Sequence, residues 1–231
     1  MTTVFIISAP SGSGKSTLVG HVRKTVPRLD FSISYTTRKP RGDEQNGKEY
    51  YFVSRPEFEG MIEQGAFLEY AAVFGKDYYG TAKRFLAAAE QQGHDLLLDI
   101  DVQGAEKIKL KLPDAVSIFI LPPDRMELEK RLRHRSLDAE DVIQRRLFTA
   151  HGEIEKYEKY DYILVNDRLE DSVAALQAIL IAERLKRSGI PSTAEDREVL
   201  AIAERYSLCN VRERVQPILA SFAAPAVRGG C

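Results

Sequence analysis

Residues 9–17 read Ala9-Pro10-Ser11-Gly12-Ser13-Gly14-Lys15-Ser16-Thr17, a run rich in glycine and serine that ends in Lys-Ser-Thr. An apolar run, Val4 to Ile7, comes directly before it, and a helical pattern over Ser16 to Lys24 follows it. A glycine-rich loop between a strand and a helix, with Lys and then a hydroxyl residue, is typical of proteins that hold the phosphates of a nucleoside triphosphate. The alternative is a Gly/Ser-rich turn that contains Lys by chance. The context favours a triphosphate site at a strand-to-helix turn.

Each residue type in the loop suits that chemistry. Gly12 and Gly14 let backbone N–H groups turn inward on phosphate oxygens, and the start of the helix adds partial positive charge. Lys15 is predicted to reach the β- and γ-phosphates, and Ser16 to bind Mg²⁺. The full pattern begins with Gly where this chain has Ala9, so the loop must accommodate a methyl group. The nucleotide-binding set is Ser11, Gly12, Ser13, Gly14, Lys15, Ser16 and Thr17.

Further short apolar runs along the chain indicate buried parallel strands. They lie at Leu96 to Ile100, Val116 to Leu121 and Tyr162 to Val165. Helical patterns lie between them, at Lys83 to Gln92, Arg125 to His134, Asp138 to Tyr157 and Leu169 to Arg187. Strands that alternate with helices predict an α/β fold with three layers, in which helices flank a parallel sheet.

Between Phe31 and Gly80 the pattern changes, which predicts a small β-rich insertion. Ser32 to Thr36 alternates, Asn46-Gly47 is a hairpin signal, and Tyr50 to Val53 is rich in strand-forming residues. Near the other end, the segment from Ser188 onward holds two helical patterns, Glu195 to Tyr206 and Val211 to Phe222. Its amphipathic helices allow packing on the core, on another subunit or on nothing, so the pattern leaves its role open.

The bulk composition excludes several classes of protein. A chain of 231 residues fits one domain with insertions or two small domains. Lys plus Arg number 33 and Asp plus Glu 34, a balance that favours neither a nucleic acid nor a membrane partner. There is no long apolar run, no secretory signal and no disulfide framework, since Cys209 and Cys231 are the only cysteines. We therefore expect a soluble cytoplasmic protein.

Several spaced motifs between Val4 and Lys186 resemble the guanylate kinases, a family of nucleoside monophosphate kinases. The motifs are 34–41 (SYTTRKPR), 46–50 (NGKEY), 67–70 (FLEY), 78–81 (YYGT) and 98–104 (LDIDVQG). The resemblance implies a P-loop fold with a β-rich GMP-binding insertion and a helical lid. It also implies ATP-dependent phosphorylation of GMP, and of dGMP, to the diphosphate with release of ADP.

The resemblance assigns a substrate-binding set to the insertion. Ser34, Arg38, Arg41, Tyr50 and Tyr79 would hold the GMP phosphate, and Glu69, Thr81 and Asp99 would read the guanine. The residue chemistry agrees, because guanidinium groups and hydroxyls suit a phosphate, while a carboxylate can accept both the N1–H and the NH₂ group of guanine. Taken singly, the two arginines could belong to a solvated loop and Glu69 could be a surface acid.

The resemblance also implies a metal site and a lid. Asp99 follows an apolar strand and is assigned to Mg²⁺ together with Ser16, and Asp101 is a weaker candidate on what is expected to be the same face. A structural carboxylate pair is the alternative. Arg131, Arg135 and Arg146 match the lid arginines of the family, although His134 and Ser136 stand where the family has glycines. Asn166 and Asp167 match a position near adenine, or form a turn.

The implied mechanism is in-line transfer of the γ-phosphoryl group to GMP, with Lys15, Arg38, Arg135 and Arg146 as catalytic residues. No general base is expected, because the GMP phosphate is already ionised, and closure over both nucleotides should exclude water. The alternatives are an interaction module without catalysis, and a kinase for another phosphorylated acceptor. Domain boundaries follow: a P-loop core (1–31, 82–124 and 152–187), the insertion (32–81), the lid (125–151) and a C-terminal extension (188–231).

Overall fold

The structure is a computed structural model that describes residues 2–73, 76–135, 139–189 and 193–223, with Val73 and Arg135 described by their backbone alone. The strands are β1 (Val4–Ser8), β2 (Leu29–Ser32), β3 (Tyr35–Thr36), β4 (Tyr51–Phe52), β5 (Phe67–Val73), β6 (Asp77–Ala82), β7 (Asp95–Asp99), β8 (Val116–Leu121) and β9 (Tyr162–Val165). The helices are α1 (Lys15–Thr25), α2 (Arg55–Glu63), α3 (Lys83–Gln92), α4 (Val102–Lys111), α5 (Arg125–Arg135), α6 (Glu140–Ile154), α7 (Leu169–Ser188), α8 (Ala194–Glu204) and α9 (Leu208–Ala223), with a 3₁₀ helix at Tyr157–Lys159.

The chain divides into two compact units, each built from separate stretches of sequence. One unit combines the residues up to Ser8 with Arg23–Ser117, and the other combines Ala9–Val22 with the chain from Ile118 onward. Strands β1, β2, β7, β8 and β9 form a five-stranded parallel sheet with helices around it, so the predicted α/β fold is confirmed.

In the first unit, β7 lies between β2 and β1, and both pairings are parallel. Every residue of β1 is buried, because its VFIIS sequence has no polar face to present to water. Helix α4 begins at a cap: the Asp101 carboxylate accepts a hydrogen bond of 2.8 Å from the Gly104 backbone N–H. Helix α3 ends at Gly93, whose left-handed backbone conformation stops the helix.

The first unit also contains a second sheet in the order β4-β3-β6-β5. Its strands β5 and β6 are antiparallel, whereas β3 and β4 are parallel. Helix α2 packs on this sheet through Phe58, whose ring stacks on Phe67 with 4.5 Å between centroids. Ser54 caps the start of α2, since its hydroxyl accepts from the Glu57 backbone N–H at 3.3 Å.

The prediction of a β-hairpin at Asn46-Gly47 is wrong. The chain does turn there, with the Gly47 N–H donating to the Tyr50 carbonyl at 2.8 Å, but β4 then pairs in parallel with β3. The Asn46 side chain accepts from the Phe52 N–H at 2.8 Å, and so takes the place of a strand partner. The hairpin of this region is formed by β5 and β6.

The second unit contains β9, the part of β8 from Ile118 onward that pairs with it in parallel, and helices α5 to α9. The predicted helix from Asp138 to Tyr157 is shorter than expected: α6 covers Glu140–Ile154, and the 3₁₀ helix follows it. Asp138 lies outside the described residues, while Glu140 and Asp141 occupy the first turn of α6, where negative charge is favourable. In the described part of the chain, helices long and apolar enough to cross a membrane are absent.

Helices α8 and α9 pack on this unit. The Ile163 N–H donates to the Tyr206 carbonyl at 2.8 Å, and the Leu208 N–H donates to the Asp161 carbonyl at 3.0 Å. These bonds run along β9, the last strand of the parallel sheet. Of the alternatives left open for the extension, the structure supports packing on the core.

Candidate functional site

The loop between β1 and α1 is shaped to receive an anion. Gly12 and Gly14 have φ angles of 93° and 87°, in the region that favours glycine. A Cβ atom on Gly14 would lie 2.3 Å from the Asn166 Nδ2 atom, so a side chain there would also clash. Ala9 lies outside the left-handed region, which explains why its methyl group is tolerated at the position where the pattern has Gly.

The loop also presents a polar group that no neighbouring side chain satisfies. Among the described residues, the Ser13 hydroxyl is buried and has no hydrogen-bond partner. A buried hydroxyl without a partner is costly, and a phosphate oxygen is a suitable acceptor for it. Ser11, Ser16 and Thr17 are exposed and Lys15 is half-buried, so these predicted contacts are within reach of a ligand. These observations fit a site for an anion such as a phosphate group.

Asn166 braces this loop from the end of β9. Its side-chain Nδ2 donates to the Ser13 carbonyl at 2.7 Å, and its own carbonyl accepts from the Arg131 guanidinium at 3.1 Å. The residue is buried, whereas the neighbouring Asp167 is exposed. The Asn166 amide group that was predicted to contact a base edge is thus already bonded to the phosphate loop. Asp167 is the more accessible of the two residues.

The lid arginines differ in what the structure describes. Arg131 lies on α5 and pairs with Glu127 at 2.9 Å, and Arg146 is half-buried on α6. For Arg135 only the backbone is described, at the end of α5, and Ser136 lies outside the described residues. Arg133, to which we assigned no role, joins α5 to α6 through the Glu140 carboxylate and lowers the pKa of Glu140 to about 2.

In the first unit, the residues predicted to hold a second phosphate cluster around Arg38. Its Nε donates to the Tyr79 hydroxyl at 3.1 Å, and its guanidinium carbon lies 5.2 Å from the centre of the Tyr50 ring. The Ser34 carbonyl accepts from the Tyr51 N–H, which fixes the backbone beside the cluster. Arg41 is exposed and close in sequence to Arg38. The structure thus brings Arg38, Tyr50 and Tyr79 together.

Glu44, a residue to which we assigned no role from the sequence, holds this arginine in place. Both oxygens of Glu44 accept from Arg38, at 2.8 and 3.0 Å, and one also accepts from the Arg41 N–H at 2.8 Å. The hydrogen bond from Arg38 lowers the pKa of Glu44. Arg38 and Glu44 lie in a segment without helix or strand, so no periodic signal in the sequence could have identified the pair.

The predicted guanine-reading residues also meet. Glu69 on β5 is opposite Thr81 on β6, and the Thr81 hydroxyl donates to the Glu69 carboxylate at 2.8 Å. Tyr79 and Thr81 are two residues apart on β6 and share a face. Burial raises the pKa of Glu69, although the bond from Thr81 partly opposes that shift. A buried carboxylate beside a hydroxyl can accept the paired donors of a flat ring.

Asp99 and Asp101 occupy different structural positions: Asp99 is the last residue of β7, and Asp101 is the cap of α4. The strand ends at Asp99, and Asp101 lies outside it as the cap of α4, so the expected common strand face does not exist. Asp99 is half-buried and interacts electrostatically with Arg23. In the described part of the chain, no three His, Cys, Asp or Glu side chains lie together as a group that could hold a metal ion.

Comparison with known proteins identifies the family. Residues 1–183 match the model of the guanylate kinase family, and the guanylate kinase of Koribacter versatilis (strain Ellin345) is 57% identical over 223 residues, which is 95% of each chain. The chain belongs to the guanylate kinase family. The guanylate kinase of Escherichia coli (strain K12) is 48% identical over 188 residues, 80% of this chain and 90% of the relative.

A solved structure supports the same assignment. The crystal structure of guanylate kinase from Anaplasma phagocytophilum has a TM-score of 0.65 and 33% identity, over 86% of this chain and 93% of that chain. Family membership makes the protein a kinase, a transferase with a phosphate group as acceptor, and implies ATP-dependent phosphorylation of GMP to GDP. The resemblance read from the sequence is therefore confirmed.

Proposed function

We propose that the chain phosphorylates GMP and dGMP by direct in-line transfer from ATP, with Glu69 as the residue that selects the base. The observation that carries the proposal is the buried Glu69 carboxylate bonded to Thr81. Guanine presents N1–H and NH₂ donors to such an acceptor, whereas adenine presents an unprotonated N1 and would be repelled. Asp99 is proposed as a further contact of the base.

The phosphate of GMP is proposed to bind Arg38, Arg41, Ser34, Tyr50 and Tyr79. Arg38 and Glu44 form a paired contact of the kind that a phosphate also makes with a guanidinium group. These contacts involve the base and the phosphate and leave out the ribose 2′-hydroxyl, which is why we include dGMP as a substrate.

ATP is proposed to bind the loop from Ser11 to Thr17, with Asp167 and Asn166 near its base. The partnerless Ser13 hydroxyl and the positive φ angles of the loop glycines support this placement. Lys15, Arg131, Arg135 and Arg146 supply the positive charge that the polyphosphate requires.

Mg²⁺ fits the oxygen donors that the chain offers, the Ser16 hydroxyl and the Asp99 carboxylate, because it is a hard cation that keeps waters and uses few protein ligands. When bound, it would neutralise part of the phosphate charge. The side chains then act by alignment: Lys15 and the arginines hold donor and acceptor phosphates, and catalysis needs no protein base.

GMP and ATP are thus the proposed small-molecule partners, in purine nucleotide metabolism and in the cytoplasm. The nearly equal numbers of acidic and basic residues support a protein without a nucleic acid or membrane partner.

The test measures ADP release from ATP and Mg²⁺ with each of GMP, AMP, CMP and UMP, for the unchanged chain, Glu69→Gln and Glu63→Gln. We expect activity with GMP alone. Glu69→Gln should lower kcat/KM for GMP about a hundredfold, because the charge of the acceptor is lost. Glu63→Gln, at an exposed carboxylate on α2, should behave like the unchanged chain. Equal activity with all four nucleotides would overturn the proposal.

A further inference from the structure

Helix α9 belongs to a segment beyond residues 1–183, the part that matches the family model. It packs against α5, α6 and β9 within the second unit. Its buried residues, Val211, Val215, Ile218 and Phe222, recur at helical spacing and form one apolar face. The helix is therefore part of the core of this unit.

One polar contact from α9 reaches the first turn of α5. The Ser221 hydroxyl accepts a hydrogen bond of 3.1 Å from the Arg125 backbone N–H, and donates its own proton to the Ile218 carbonyl at 2.6 Å. The first N–H groups of a helix have no partner inside the helix. Asp124 satisfies another of them, since its carboxylate accepts from the Glu127 N–H at 2.7 Å. Ser221 thus supplies, from a distant segment, a second cap for α5.

Helix α5 in turn contacts the phosphate loop. A Cβ atom on Gly12 would lie 3.0 Å from methyl groups of both Leu128 and Leu132, so these two side chains pack against the loop at Gly12. The same helix carries Arg131, which donates to the Asn166 carbonyl. Asn166 then donates to the carbonyl of Ser13. A shift of α5 would therefore displace the loop through two routes.

We propose that the C-terminal extension positions the ATP site: Ser221 fixes the first turn of α5, and α5 supports the phosphate loop from Gly12 to Ser13. Ser221 is a positioning residue, because it acts through α5. The inference rests on ATP binding at the loop, and it assigns to the extension a role that the family match does not cover.

The test compares full-length Ser221→Ala, Ser221→Thr and Gln216→Ala with the unchanged chain. Alanine is the best helix former, so Ser221→Ala leaves α9 intact while removing the cap. We expect its KM for ATP to rise about threefold to tenfold, with its KM for GMP within about twofold of the unchanged value. Ser221→Thr retains the hydroxyl and should restore ATP use. Gln216 is exposed on the same helix and serves as the matched control.

Hydrogen exchange of the 125–135 peptide provides a readout independent of activity. The amides of the first turn of α5 should exchange faster in Ser221→Ala than in Ser221→Thr. Faster exchange with an unchanged KM for ATP would overturn the proposal, because the cap would then not reach the loop. Equal rises in both KM values would also overturn it. If the unchanged chain itself fails to phosphorylate GMP, the proposed function fails instead.

Discussion

At the scale of single residues, burial of Glu69 links the guanine site to the pH dependence of stability. Burial raises the pKa of Glu69 above its ordinary value of 4.5. Its favourable contribution to folding is therefore complete below pH 4.5 and is lost as the pH rises through the raised pKa. At pH values above that raised pKa, the folded protein holds a buried charge.

Glu69→Gln should accordingly be more stable than the unchanged chain at pH 8, and this advantage should shrink as the pH falls toward 4.5. Glutamine retains an acceptor for Thr81 but carries no charge. Urea unfolding without nucleotide at several pH values measures the difference in free energy of unfolding. A difference that stays constant with pH would contradict the expectation, and the exposed Glu63→Gln is the control.

Arg41 provides the clearest separation of the two substrates. Its side chain is exposed, so its removal should cost little stability. Arg41→Ala should lower kcat/KM for GMP about tenfold to a hundredfold through loss of a charge-assisted phosphate contact, and leave the KM for ATP nearly unchanged. Lys48→Ala, at an exposed cation of the same segment, is the matched control. Equal losses for both substrates would count against a phosphate-binding role.

Residue chemistry could be predicted where a motif carried it, and could not where the partner was set by the fold. Glu69 and Thr81 were predicted together and lie together. The contacts of Glu44 with Arg38 and of Ser221 with Arg125 depend on loop and helix packing, which leaves no period in the sequence. Asp101 was misplaced because the strand ended two residues earlier, at Asp99.

At the scale of elements, the phosphate loop and α1 offer a matched pair of glycines. Gly14 has a positive φ and no space for a Cβ atom, whereas a Cβ atom on Gly20 in the middle of α1 meets nothing within 4 Å. Gly14→Ala should raise the Kd for ATP at least about tenfold, because the strained loop can no longer present its N–H groups. ATP titration by calorimetry measures the loss.

Gly20→Ala should instead stabilise the protein by about 0.5–1 kcal/mol, because alanine loses less backbone entropy in a helix. Its ATP affinity should not change. Thermal unfolding of Gly14→Ala and Gly20→Ala measures the change in stability of each variant. A loss of stability in Gly20→Ala would contradict the open space around Gly20.

Elements with apolar residues at helical spacing, or with a fully apolar run, were predicted closely. Strands β8 and β9 and helix α3 have the expected bounds. Helices α2 and α4 were missed. Helix α2 begins Arg-Pro and has few apolar residues, and α4 follows β7 so closely that its residues were interpreted as a motif. The parallel pairing of β3 and β4 depends on contacts distant in sequence, so a local turn signal at Asn46-Gly47 was misleading.

At the scale of the whole molecule, neither compact unit is a continuous stretch of chain. The segment Ala9–Val22 belongs to one unit, while β1 before it and Arg23 after it belong to the other. The chain therefore passes from one unit to the other at more than one point. The proposed boundaries of insertion and lid describe nucleotide-binding parts and stay predictions.

We therefore expect urea unfolding in a single transition. Circular dichroism and tyrosine fluorescence should give the same midpoint, because the chain has 10 tyrosines distributed along it and no tryptophan. Two separated midpoints would contradict the expectation and show that one unit keeps its structure without the other. Saturating ATP should raise the urea midpoint, because its binding to the folded form increases the free energy of unfolding.

The backbone hydrogen bonds that Tyr206 and Leu208 form beside β9 matter during synthesis of the chain. The ribosome makes β9 first, and the edge of that strand has no cover until these later residues emerge. At about 5–20 residues per second the delay is on the order of several seconds. A nascent chain is open to pairing with its neighbours throughout that interval. Released chains that end between β9 and Tyr206 should therefore bind one another more than the unchanged chain does.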